Sequence, residues 1–166
     1  AANSDEIVVT AQKREQSAQH VSIAISAFTG KTAEALGVNN VQSLANVVPG
    51  VSLQSPGGPA QSEIGIRGVS SRDISPTKEG AVVMYLDDTY FPITSAAAKP
   101  VFDIERVEVL KGPQSTLFGR NASGGVIHIV SKQPTNTFEG YVQAGMGSFG
   151  EKEVQGAVSG PLSDNV

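Results

Sequence analysis

The side chains able to do chemistry in this 166-residue chain are few and scattered. His20 and His128 are the only histidines and cysteine is absent, so a thiolate nucleophile, a disulfide framework and a Cys- or His-built metal centre lack their raw material. Two carboxylate groupings occur, Asp87-Asp88 and Asp103 with Glu105. Paired carboxylates can divide general acid and base work, but an acidic turn and a solvated strand edge explain these two more simply. Gly112-Pro113 and Gly119-Arg120-Asn121-Ala122-Ser123-Gly124-Gly125 look like phosphate-cradling loops. Neither a Lys-Ser/Thr ending nor dinucleotide spacing follows, and turn-making accounts for them. His128 alternates with Ile127 and Ile129, the setting of a satisfied interior or interface residue rather than of a ligand. Without a base, nucleophile and metal constellation, the chain is not expected to be an enzyme, to hold a metal or to carry a cofactor.

One short segment suits a different kind of chemistry. Ile7-Val8-Val9-Thr10 is a β-branched patch between polar Ser4-Asp5-Glu6 and Gln12-Lys13-Arg14. An extended segment of this kind can add to an exposed sheet edge, main-chain hydrogen bonds supplying affinity and alternate side chains supplying register. A frayed terminus with a chance Ile-Val-Val is the competing reading. Charge narrows the partners, because 12 Lys and Arg against 16 Asp and Glu leave a net charge of -4 and no electrostatic footprint for nucleic acid. No apolar run reaches the roughly 18 residues of a spanning helix, so any membrane insertion has to use strands. The small residues Ala1-Ala2-Asn3-Ser4 are compatible with what a signal peptidase leaves behind.

The elements that would position these groups are short. With 18 Gly, 9 Pro and no Trp, the chain reads as turn-rich, with length for one compact core and a small appendage. Val21, Ile23 and Ile25 alternate with Ser22, Ala24 and Ser26 and predict a strand. Thr29 is placed to cap a helix over 31–36, stopped by Gly37. Asn39 or Asn40 caps a second, with Val41, Leu44, Ala45 and Val48 on one face and Pro49-Gly50 at its end. Strands are predicted at 51–53 and 64–67, and 82–86 and 89–91 flank the Asp87-Asp88 turn as a hairpin. Ile104 to Leu110 reads as a strand with Val107 and Val109 on one face and Arg106 and Glu108 on the other. Pro113 is expected at the first position of a helix through Phe118, before a last strand at 126–130. Strands and helices mixed without βαβ regularity predict an α+β domain.

The pattern changes at Phe138. Gly140, Val142, Ala144 and Met146 share an apolar face with Phe138, while Glu139, Tyr141, Gln143 and Gly145 line a more polar one. Beyond Ser148-Phe149-Gly150 the alternation resumes, with Val154, Gly156, Val158, Gly160 and Leu162 against Glu151, Glu153, Gln155 and Ser159. Each run is near the ~10 residues of a tilted transmembrane β-strand, apolar side out. A water-soluble hairpin packed on a core shows the same alternation. A hairpin alone in lipid leaves its edges unsatisfied, so the membrane reading expects further strands.

The run from Arg106 to Lys132, Arg-Val-Glu-Val-Leu-Lys-Gly-Pro-Gln-Ser-Thr-Leu-Phe-Gly-Arg-Asn-Ala-Ser-Gly-Gly-Val-Ile-His-Ile-Val-Ser-Lys, closely resembles the signature of TonB-dependent receptor plugs. Three further features occur in the family's order. Glu6-Ile7-Val8-Val9-Thr10-Ala11 is similar to the TonB box, Ile66-Arg67-Gly68 to the internal Ile-Arg-Gly motif, and Tyr85-Leu86-Asp87-Asp88 to the Tyr-hydrophobic-Asp-Gly hairpin. The resemblance implies a flexible arm with a TonB box over 1–20, a plug over 21–137, and the first two strands of an outer-membrane barrel over 138–166. The family barrel has about 22 strands around a plugged lumen.

The same resemblance implies a role for each part. TonB in the periplasm would take Glu6, Ile7, Val8, Val9 and Thr10. Arg67 and Lys111 resemble the latch that ties plug to barrel glutamates, although the family commonly has Arg at the second position, whose bidentate fork Lys lacks. Asp88 stands where the family has a turn Gly. Loops facing outward would meet the substrate through Gln61, Arg72, Tyr90, Phe91 and Thr94. The implied function is gated, energy-coupled uptake of a scarce nutrient, such as a siderophore-bound metal, cobalamin or a sugar. Its place would be the outer membrane of a Gram-negative bacterium, in contact with lipid, with plug and arm towards the periplasm. The alternatives are a free periplasmic plug-like binding module and, more remotely, a hydrolase or nucleotide enzyme.

Overall fold

The computed structural model describes residues 7–10, 13–55, 58, 62–71, 80–91, 100–150 and 152–161. The chain divides into two compact units, Ala1–Ser131 and Lys132–Val166.

The first unit is built on a five-stranded sheet. Its strands are β3 (Ile25–Thr29), β6 (Val82–Leu86), β7 (Thr89–Phe91), β8 (Ile104–Lys111) and β9 (Gly125–Ser131). They lie in the order β3-β8-β9-β6-β7, with β6 and β9 parallel and the other neighbours antiparallel. β9 is the central strand, and Gly125 to Val130 are buried throughout. That fits its near-continuous apolar run, because a strand covered on both faces has no side to leave polar. The predicted hairpin at Asp87-Asp88 forms, with Met84 opposite Phe91 and Leu86 opposite Thr89.

Period-two alternation sends neighbouring residues to opposite faces. Val82, Met84, Val107, Val109, Ile127 and Ile129 form one apolar cluster with α1 (Gly30–Ala35), α2 (Leu44–Val47) and the hairpin of β4 (Val51–Gln54) with β5 (Glu63–Ile66). Val83, Leu110 and Val126 form the other, with Val9, Phe118 and Ala122. Thr29 caps α1 as expected, its Oγ1 accepting from the Thr32 amide at 3.2 Å. Gly30 opens that helix against β8, where any Cβ would run into the Ile104 carbonyl.

Three local expectations shift. Val21 and Ile23 precede the strand instead of joining it, because β3 pairs only from Ile25 opposite Leu110 to Thr29 opposite Arg106, and β8 ends at Lys111. The predicted second helix is regular only over Leu44–Val47. Its first part is a turn closed by Asn40, whose Oδ1 accepts from the Ser43 amide at 2.9 Å. The helix after Gly112 is α3, Ser115–Phe118; Gln114 is its N-cap, and Pro113 stands outside it. Gly119 ends it at φ +75°.

The second unit is a hairpin of β10 (Glu139–Met146) and β11 (Lys152–Ser159). Its register runs from Glu139 opposite Ser159 to Met146 opposite Lys152. A turn over Ser148–Gly150 joins the strands. Val142, Val154 and Val158 share one face and are 84%, 74% and 72% exposed. Tyr141, Gln143, Gln155 and Ala157 occupy the other, with the Lys132 ammonium 4.7 Å from the Tyr141 ring centre.

Candidate functional site

The β-branched patch near the start is docked on the second face of the sheet. β1 (Val8–Val9) pairs with β2 (Gln16–Ser17), Val8 opposite Ser17 and Val9 opposite Gln16. The Ala18 amide donates to the Ile7 carbonyl at 2.9 Å, and the Lys13 amide to the Thr10 carbonyl at 2.8 Å. Alternation then divides the side chains: Val9 is completely buried among Val83, Leu110, Phe118 and Val126, while Val8 is half-exposed. Ile7, Ala18, Val21 and Ile23 pack around the same cluster. Where a flexible arm is expected over 1–20, residues 7–10 thus form a strand seated on the sheet, and Glu6 lies outside the described residues.

Polar contacts converge where this strand ends. Glu108 is wholly buried in the middle of β8, and its Oε1 accepts from the Thr10 amide at 2.9 Å and the Thr10 hydroxyl at 3.3 Å. Arg106 joins both partners, its Nε donating to Glu108 Oε1 at 2.8 Å and its Nη2 to Thr10 Oγ1 at 3.1 Å. Its Nη1 meets Glu105 at 2.6 Å. On the other side Glu108 Oε2 faces His128 Nδ1 at 3.6 Å, while the opposite ring nitrogen, Nε2, lies 2.7 Å from the Asp87 carbonyl. Burial acts to raise the Glu108 pKa, but His128, the Thr10 amide and Arg106 together outweigh it and hold the carboxyl below its ordinary range.

The β6–β7 turn supplies a second, outer contact. Lys13 Nζ lies 3.0 Å from Asp88 and over the rings of Tyr85 and Phe118, 5.5 and 5.2 Å from their centres. The hydrogen bond and charge of Lys13 lower the Asp88 pKa. Asp88 is almost fully solvated, so water and salt screen this pair. Its neighbour Asp87 takes the left-handed conformation at φ +54° and is tied inward, accepting from the Ser131 amide at 2.9 Å and hydroxyl at 2.7 Å.

Arg67 and Lys111 also come together. Arg67 Nη1 approaches the Lys111 carbonyl at 3.5 Å. Burial, and then the Arg67 charge, lower the Lys111 pKa. Tyr90 is exposed, its ring edge-on to Tyr85 at 6.0 Å, and half-buried Phe91 packs on the first cluster. Gln61, Arg72 and Thr94 lie outside the described residues. Among the described residues no group of His, Cys, Asp or Glu is placed to hold a metal ion.

Glu108, Arg106, His128 and Lys13 are the site residues that sequence reasoning passed over as a group. The available signal was the polar pair on one face of an otherwise apolar β8, together with His128 on β9. Their register sets Glu108 directly opposite His128. Nothing local, however, points from that face to Thr10, 98 residues away.

Comparison with known proteins accounts for this architecture. Residues 17–126 match the TonB-dependent Receptor Plug Domain. Over 161 residues the chain is 32% identical to the pesticin receptor of Yersinia pestis, covering 96% of this chain and 24% of that protein. It is also 32% identical to the vitamin B12 transporter BtuB of Vibrio vulnificus, over 97% of this chain and 26% of that one. The crystal structure of the ferric yersiniabactin uptake receptor FyuA from Yersinia pestis superposes with a TM-score of 0.79 at 32% identity, covering 90% of this chain and 23% of that one. The chain therefore spans about a quarter of the length of these relatives. Its mixed sheet with few small helices is the plug fold, and the chain belongs to the TonB-dependent receptor plug family.

Proposed function

We propose that this chain is the gate, with the first wall strands, of an outer-membrane transporter that takes up a scarce nutrient under the power of TonB. The observation that carries the reading is the seating of Ile7–Thr10: a preformed strand, paired through only two residues to β2, on the removable side of the plug sheet. Such a strand can pass to another sheet edge at little cost in main-chain hydrogen bonding. Glu6 to Thr10 form the TonB-binding segment, and a pull on it works against the shallow cover over the second apolar cluster. Plug and arm face the periplasm in this scheme.

A siderophore-bound metal is the proposed cargo class, supported by the ferric-siderophore uptake receptor among the relatives at 32% identity. A cobalamin cargo, after the B12 transporter, is the second possibility. Gln61, Arg72, Tyr90, Phe91 and Thr94 would meet the cargo, and the paired cations Arg67 and Lys111 would latch onto barrel carboxylates.

A free periplasmic binding module is the competing reading. The second unit weighs against it, because Val142, Val154 and Val158 present an apolar face whose hydrophobic area is stabilised by lipid and not by water. The deciding experiment places Val8→Pro in the full-length receptor and follows uptake of a radiolabelled ferric siderophore. Uptake is expected to drop to the level of cells lacking TonB while surface binding persists. Normal uptake that still requires TonB would remove Ile7–Thr10 from the mechanism.

A further inference from the structure

We propose that Glu108 is a clasp for the N-terminal strand, a positioning residue that competes with an incoming partner for the Thr10 amide. The inference rests on the reading of Ile7–Thr10 as the strand given to TonB, and it names what holds that strand back.

Main-chain geometry sets up the competition. In an antiparallel ladder successive residues turn their N-H and C=O groups alternately towards and away from the partner strand. The Ala18 amide donates to the Ile7 carbonyl, so Ile7 and Val9 face β2 and the N-H groups of Val8 and Thr10 point to the opposite edge. On that edge Glu108 Oε1 takes the Thr10 N-H at 2.9 Å. A partner strand adding along the same edge needs that donor, so capture and clasping exclude one another at this atom.

The clasp also differs in kind from the other contacts that seat the arm. The β1–β2 ladder lies within the arm and travels with it. Val9 contributes apolar burial without direction, and Lys13 contributes an exposed ion pair. The bond from Thr10 to Glu108 is charge-assisted and partly buried, on a carboxylate that is itself wholly buried, which makes it stronger and directional. It is also built into the sheet. The Glu108 carboxylate is aimed by Arg106 on its own strand, with His128 of β9 3.6 Å from its other oxygen and braced by the Asp87 carbonyl. β3 presents only uncharged Ala27 opposite Glu108, and the Lys13–Asp88 pair sits at the neighbouring turn. Release of the arm leaves the carboxylate with Arg106 and His128 and opens it to water.

The test uses the full-length receptor with every native thiol removed and Val9→Cys added, so that a thiol reagent reads exposure of the docked strand. Glu108→Gln keeps the shape but loses the charge, and is expected to raise the labelling rate about tenfold, the loss of one charged hydrogen bond. Thr10→Pro, which removes the donor and leaves the sheet untouched, is expected to do the same. Val107→Cys, buried on the other face, reports unfolding and should stay unlabelled. Leu117→Cys, exposed on α3, corrects for reagent reactivity.

Titration separates a clasp from a merely structural carboxylate. The folded Glu108 pKa is depressed, so its contribution is complete at neutral pH and disappears as pH falls through that lowered value. Labelling at Val9→Cys, taken relative to Leu117→Cys at each pH, should therefore accelerate in acid, and Glu108→Gln should flatten the acceleration. Where Glu108→Gln also exposes Val107→Cys, the Thr10→Pro result decides. Unchanged labelling with Thr10→Pro overturns the clasp. Faster labelling with Glu108→Gln, which keeps the Thr10 donor, without any increase in capture by the purified TonB C-terminal domain leaves the clasp standing and overturns the reading of Ile7–Thr10 as the TonB strand.

Discussion

The two faces of the five-stranded sheet are covered in opposite ways. On one, Val107, Val109, Ile127 and Ile129 meet Ala33, Val41, Leu44, Val48, Ile64 and Ile66, all apolar and almost completely buried. On the other, Val83, Leu110 and Val126 meet Val9, Phe118, Ala122 and a rim of half-buried residues, with a carboxylate and an imidazole between them. The first cover is a hydrophobic core, whose stability scales with area and has no single point of release. The second combines a small apolar contact with a polar anchor. Under the proposed gating role, a cover of that kind would open when the anchor is lost and leave the sheet intact.

The comparison breaks most readily in the core. Ile127→Ala should cost about 2–5 kcal/mol by removing a buried side chain from the packed face. Hydrogen exchange of β8 and β9 amides in the receptor reads it, and exchange confined to residues 7–18 would refute the division of labour. A smaller change sharpens the contrast. Val9→Ala removes buried methyl groups worth about 1.5 kcal/mol and should speed exchange over 7–18 while β8 and β9 keep their protection. The smallest effect belongs to the outer pair. Lys13→Ala removes a solvated ion pair and should alter arm exchange by less than about twofold, so a large change would promote Lys13 to a main anchor.

Much of this arrangement was legible residue by residue. Thr29 as a helix cap, the alternation of Val107 and Val109 and the turn at Asp87-Asp88 are local signals, and each reports on neighbours within a few positions. The run from Arg106 to Lys132 marked the family because its strand, turn, helix and strand are contiguous. Local signals failed where partners were distant. Val21 and Ile23 alternate like a strand, but β8 ends before it can pair with them. Arg106 and Glu108 mark only a face of the strand that is not fully apolar, and the fold adds that Glu108 is wholly buried beneath Thr10. Arg67 and Lys111 stand 44 positions apart, and folding brings them close enough for the Arg67 charge to help lower the Lys111 pKa.

What the amino-acid order determined by itself was the period of most strands, several of the caps and turns that bound them, and the β-branched segment suited to an extended strand. Those properties depend on φ/ψ preferences and on side chains two to four residues apart. Only the tertiary structure decided that β9 lies between β8 and β6, that residues 7–10 pack against the sheet, and that Thr10 gives its amide to Glu108. The physical reason is that a buried charge and an unpaired amide are each costly alone. The chain places them 98 residues apart, and only the folded sheet brings them together to satisfy one another.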